Sequence, residues 1–180
     1  MPAKLAFMTV GVMREPVGHA QVQGFIDRAP GVYAAADKSD GFHARSIRDY
    51  GTWLHSWGEM ELPDCYPMPP GGMAQTAMTL SLWSDLESVA AFSYHGAHAE
   101  ALKHRREWFD KSAAPEYVAW WVDENHAIDW KEGKARLDHL HNHGSSAFAF
   151  NFKSPFDADG QAYAIDRESV KAKAAMNAAE

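Results

Sequence analysis

The residues whose types and spacing could do chemistry crowd into one stretch, 94–109, which carries Tyr94, His95, His98, His104, Arg105, Arg106 and Trp108. Wound as a helix, His98, Ala101, Leu102, Arg105, Trp108 and Phe109 share one stripe, at offsets of three, four, seven, ten and eleven from His98. The stripe is apolar apart from His98 and Arg105. A buried imidazole beside a buried guanidinium is costly unless each finds a partner, so an anion, a carboxylate or a pocket water is expected there. The chemistry open to such a pair is general-base catalysis by His98, with Arg105 stabilising negative charge on substrate or on reduced oxygen. The competing reading is that both bond to backbone or to a dimer partner and only fix the helix.

Around this pair, Tyr94 at a presumed bend, Trp108, Trp120 and His43 are the expected substrate contacts. Glu100, Lys103, His104, Arg106 and Glu107 fall away from the stripe and read as a solvated face. His139, His141 and His143 invite a metal reading. On a helix only His139 and His143 share a side, no third ligand falls beside them, and histidines suit the negative end of a helix, so no metal is assigned. Cys65 sits among prolines without a placed base and is not read as a nucleophile. Phosphate-binding glycine loops, paired catalytic carboxylates and nucleophile elbows are absent from the sequence.

The elements that must position these groups follow from periodicity. Residues 5–12 read as a buried first strand. From Val22 to Ala36 the apolar spacing is helical, with Pro30 expected to kink or restart the helix. Residues 42–47 alternate as a strand, with Phe42, Ala44 and Ser46 on one face. The glycine- and proline-rich stretch 50–72, carrying Trp53, His55 and Trp57, reads as a long excursion, a lid or a disordered connection. Residues 74–83 return to strand composition, and Ser84 with Glu87 has the spacing of a capping box, so a helix is expected to start at Ser84. Gly96 allows a break before the chemistry-bearing segment. Residues 117–122 form a strand, with Trp120 and Trp121 on opposite faces. Asp129 with Glu132 opens a helix that Gly144 closes, and 147–152 read as a last strand with three Phe on one face.

That order is a ferredoxin-like α+β unit with an antiparallel sheet and an appended helix and strand. One face of such a sheet carries helices and the other is expected to be bare and to pair with a second sheet. Residues 1–156 are assigned to this domain and 157–180 to a C-terminal tail of good helix-forming composition, to which no function is given.

Composition bounds the function classes. The chain has 180 residues, enough for one domain with a real core. With 17 basic against 24 acidic residues, a formal charge of −7 argues against non-specific binding to nucleic acid or to an anionic membrane. A single cysteine permits no intrachain disulfide, the N-terminal apolar stretch is too short for a signal peptide, and no window approaches a membrane span, so the expected location is the cytoplasm.

Trp83-Ser84 through Val89, Phe92-Ser93-Tyr94, His98-Ala99-Glu100-Ala101-Leu102, Arg105-Arg106-Glu107-Trp108-Phe109, Trp120-Trp121-Val122, Leu137-Asp138-His139-Leu140, His143-Gly144 and Ala149-Phe150, in that order, resemble the bacterial domain-of-unknown-function family 3291. The resemblance covers most of the chain. It implies membership of the dimeric α/β barrels related to antibiotic-biosynthesis monooxygenases, that is, a homodimer joined sheet to sheet around a cavity. Residues 98–108 are also similar to a helix of the haem-containing spheroidene monooxygenases. Two departures stand out: Ala44 where an aromatic is expected, and an excursion at 50–72 longer than a hairpin.

The resulting expectation is a monooxygenase-like enzyme acting on a small apolar or aromatic molecule in a barrel pocket. His98 would be the base, Arg105 the charge stabiliser, and Trp108 with Trp120 the pocket wall. The alternatives are a haem protein with His98 as axial ligand and a non-catalytic ligand-binding dimer.

Overall fold

In the computed structural model of the protein, which describes residues 3–49, 52 and 54–179, four antiparallel strands form one sheet. Strand β1 (Ala3–Val12) lies between β3 (Thr76–Trp83) and β4 (Tyr117–Asp123), and β2 (Phe42–Arg45) pairs with the outer side of β3. Helix α1 (Ala20–Lys38) links β1 to β2. The link from β3 to β4 holds three helices, α2 (Leu86–Tyr94), α3 (Gly96–Lys103) and α4 (Arg105–Trp108). Helices α5 (Trp130–His143) and α6 (Arg167–Ala179) follow β4. The spatial order β2-β3-β1-β4 with these crossovers is the expected β-α-β-β-α-β arrangement.

Alternation divides the sheet into two faces, and both are covered. Leu5, Phe7, Trp83 and Ala119 face α2 and the C-terminal end of α1, where Ala36, Leu86, Val89 and Phe150 pack on them. Ala6, Met8, Val10, Leu80, Val118 and Trp120 point the other way, onto Leu62, Tyr66, Ile128, Trp130, Leu137 and Leu140. The second face is therefore not bare: α5 and part of the 54–75 segment cover it within one chain. Met8 and Trp120 are 0% exposed, and burying side chains such as Leu137 contributes about 1.5–3 kcal/mol each. This double cover explains why β1 is apolar on both faces from Leu5 to Met8.

Close approach of α5 requires Gly133, because a Cβ there would lie 2.6 Å from Met8 Sδ. The helix begins and ends where the sequence says. Asp129 accepts the Glu132 N–H at 2.7 Å, and Gly144, at φ 77°, donates its N–H to Leu140. Glu132 itself accepts from Trp120 Nε1 at 2.9 Å and pairs with Arg136 and His126. Burial alone would raise its pKa, but the bonds and charges of His126 and Arg136 hold it below the usual carboxylate range.

Several expectations are corrected by neighbouring structure. Pro30 lies inside α1, so the helix does not restart there. A bulge between Phe42 and Ala44 puts these two residues opposite adjacent positions of β3, Trp83 and Leu82, so they do not share a face. Helix α2 is capped by Asp85, one residue later than expected, whose Oδ1 accepts from the Ser88 N–H at 2.7 Å.

The 147–152 strand does not form. Ala149 and Phe150 make only isolated bridges, and Phe150 is buried while Phe148 is exposed, so the three Phe do not share a face. The excursion is pinned to the body: Asp64 and Cys65 donate their N–H groups to Asp138, and Tyr66 OH bonds the Pro115 carbonyl at 2.9 Å. Trp53, Tyr50 and Gly51 lie outside the described residues. The C-terminal tail is helical as α6, and no helix among the described residues is long and apolar enough to cross a membrane.

Candidate functional site

The chemistry-bearing stretch is not one helix. His95 takes an extended conformation, Gly96 has φ 58°, and a second break at His104 separates α3 from the single turn of α4. The stripe from His98 to Phe109 is thereby cut. His98 and Arg105 belong to different helices, and Arg105 is exposed. Trp108 is buried, but against Phe25 and Gly24 of α1, with Arg28 over its ring at 5.3 Å. Trp120 is core beneath α5. Tyr94 is exposed with its ring 6.0 Å from that of Phe152, and His43, at the β2 bulge, has Nε2 3.0 Å from Ser84 Oγ. Of the six expected site residues, His98 lines a cavity, and the other five are not among its lining residues.

That cavity is a groove of about 570 Å³ between the C-terminal end of α1, the α2–α3 junction and α6. Its walls are mostly methyl groups, among them Ala34, Ala91, Ala97, Ala174 and Ala175, together with the Phe92 ring. The polar groups that reach it include His95, His98, Lys38 and Lys171. A concave, largely apolar space with a few polar groups is the usual form of a small-molecule site.

His98 is the most defined group in it. Its Nδ1 lies 2.8 Å from the Ser93 carbonyl oxygen, which can only accept, so Nδ1 carries the proton and donates. In the neutral ring Nε2 then holds the lone pair. The ring packs 5.0 Å from Phe92, and burial lowers its pKa below the ordinary imidazole range, although the Ser93 bond works in the opposite sense. At neutral pH the group is an uncharged acceptor whose orientation is fixed by the main chain.

The third wall is tied down by a residue with another expected role. Glu87 is 6% exposed and does not close a capping box; its Oε1 accepts from Tyr163 OH at 2.8 Å and from the Asp166 N–H at 2.9 Å, just ahead of α6. Further along α6, Lys173 pairs with Asp40 and Asp85, and Asn177 Oδ1 accepts the Asp40 N–H at 2.8 Å. The groove-lining residues of α6 were not singled out in the sequence. The signal was present: Lys171, Ala174, Ala175 and Ala178 have the one-face spacing of a packed helix.

Elsewhere, His139 and His143 have ring centroids 4.6 Å apart, with His139 Nε2 near Ser146 Oγ, and no group of three or more metal-binding side chains occurs among the described residues. Cys65 is half-buried, and burial, with the hydrogen bond and charge of Asp138, pushes its thiol up to about 12, which removes it as a nucleophile at neutral pH.

With this geometry in place, residues 4–166 match the family described as Domain of unknown function (DUF3291). The chain belongs to this family. No curated protein matches it. The DUF3291 match ends at Asp166, so two walls of the groove lie within the family domain and the third, α6, lies beyond the matched residues.

Proposed function

We propose that this DUF3291 protein binds a small, mainly apolar organic molecule in the α1–α2/α3–α6 groove and that His98 Nε2 accepts a hydrogen bond from the ligand. The observation that carries this reading is the fixed tautomer: Nδ1 is engaged by Ser93, which leaves the Nε2 lone pair as the acceptor of a residue that lines the groove. A flat ring carrying a hydroxyl suits both the alanine walls and that acceptor. The monooxygenase-like activity implied by the resemblance fits at the same place. There His98 would take the hydroxyl proton, making the ring electron-rich toward dioxygen, without help from Arg105, which does not line the groove. A homodimer also belongs to this proposal, but with α5 on the second sheet face the two chains would meet through other surfaces and not sheet to sheet.

One observation favours haem as a second ligand reading. A histidine with Nδ1 held by a carbonyl and its lone pair on Nε2 has the form of an iron-binding imidazole, and His98 would hold the iron and tune its electronics. Titration with haemin decides it: a shifted Soret band lost in His98→Leu supports this reading, and an unchanged spectrum removes it.

For the main reading the test is calorimetric titration with 2-naphthol and with naphthalene. His98→Leu is expected to weaken 2-naphthol by about tenfold, the scale of one hydrogen bond, and to leave naphthalene unchanged. Equal effects on both ligands, or no binding of either by the wild type, would defeat it.

A further inference from the structure

The groove differs in charge from the rest of the molecule. The chain carries a formal −7, yet among the described residues no carboxylate lines the groove, and the formally charged lining residues there are Lys38 and Lys171. Both are exposed, so their ammonium groups are reachable from solvent. The acids next to Lys38 are engaged elsewhere, Asp37 by Arg45 and Asp40 by Lys173. Lys171 has Glu168 Oε1 at 2.7 Å, an exposed pair of the kind that contributes little and yields to a competing anion.

Resting on the ligand reading above, we infer that the groove selects an anionic ligand: a hydroxyaryl carboxylate, its ring against the alanine and Phe92 walls, its hydroxyl on His98 Nε2 and its carboxylate at the lysine-bearing mouth. The carboxylate belongs at the mouth for an electrostatic reason. Neutral His98 offers a lone pair at Nε2, which repels a carboxylate and attracts a donor, whereas ammonium groups do the opposite. The two ends of the ligand are thus distinguished by the two kinds of polar group in the groove. Selectivity for an anion by a protein of net negative charge needs local cations such as these two lysines, because the field of the whole molecule opposes it. Lys171 stands on α6, so this discrimination comes partly from outside the DUF3291 match.

The experiment compares 6-hydroxy-2-naphthoate with 2-naphthol by calorimetry at low salt, in the wild type and in the double variant Lys38→Gln/Lys171→Gln. Both lysines are exposed, so the variant is expected to fold. The wild type should bind the naphthoate about tenfold more tightly, the scale of two exposed charge contacts, and the double variant should bind both ligands within about twofold of each other. Raising the salt should shrink the wild-type preference in the same way. If 2-naphthol binds as well as the naphthoate, or if the preference survives in the double variant, the inference of an anionic ligand is overturned while the groove remains a ligand site. If neither compound binds, both the inference and the reading beneath it fail.

Discussion

Replacing Glu87 by Gln or Ala should release α6 without unfolding the sheet. In the native protein one buried carboxylate oxygen accepts two hydrogen bonds, from Tyr163 OH and from the Asp166 N–H. Bonds to a charged acceptor contribute about 1.5–3 kcal/mol each, and because Tyr163 is partly exposed and can turn to water, a total of about 2–3 kcal/mol is expected for Glu87→Ala. By the tenfold-per-1.4-kcal/mol rule that raises the open population of α6 about 30- to 150-fold, read as faster amide hydrogen exchange across Arg167–Ala179.

Tyr163 supplies a second readout. The hydrogen bond and charge of Glu87, followed by burial, push its phenol up to about 12. A phenol raised in the folded state contributes stability that is complete below its unfolded pKa near 10 and is lost as pH rises through the folded value. In Glu87→Gln the carboxylate charge is gone, so Tyr163 should titrate closer to 10 and the loss of stability at high pH should lessen. If α6 exchange stays at wild-type rates while the Tyr163 titration moves, the helix is held by Lys173 and Asn177 alone and the anchoring argument is refuted.

Other outcomes follow from the same contacts. Gly133→Ala should cost about 1–3 kcal/mol by overpacking against Met8, partly offset by the higher helix propensity of Ala, and a urea midpoint equal to or above wild type would mean that α5 stands off the sheet. His98 and His55 both have pKa values lowered by burial, the latter also by Arg48, so the unfolded chain takes up their protons first. Stability should be complete above about pH 6.5 and fall as pH drops below it, and His98→Leu should flatten that slope in urea titrations at pH 7 and pH 5. Sedimentation equilibrium should show whether two 20.0 kDa chains associate; if they do, Gly133→Ala should not dissociate them, because the face beneath α5 is already used within one chain.

The fold was largely legible because its signals are local. The apolar run of β1, the Tyr117–Asp123 strand, and Asp129 with Glu132 and Gly144 around α5 each state their conformation within a few residues. What was not legible depends on partners distant in sequence. Glu87 has capping-box spacing, but its oxygen is claimed by Tyr163 and Asp166, leaving Asp85 to cap the helix. The Phe148–Phe150–Phe152 alternation suits a strand, yet Phe150 pairs only with Ala119 while Phe152 stacks on Phe7. The candidate site divides the same way. His98 was found because it sits on the apolar side of a helical pattern. The same pattern extends to Arg105 and Trp108 only across a break at His104, where no glycine or proline stands to signal it. The bare sheet face was inferred from topology, and topology alone does not say what a later helix will cover.

The most direct measurement is the nitrogen chemistry of His98 by ¹⁵N NMR, free and with 2-naphthol added. The groove reading predicts a neutral ring at pH 7 with Nδ1 protonated and Nε2 bare, and a shift of the Nε2 resonance on titration as it accepts the ligand hydroxyl. A proton on Nε2 in the free protein, or an unmoved His98 while 2-naphthol perturbs residues elsewhere, would contradict it.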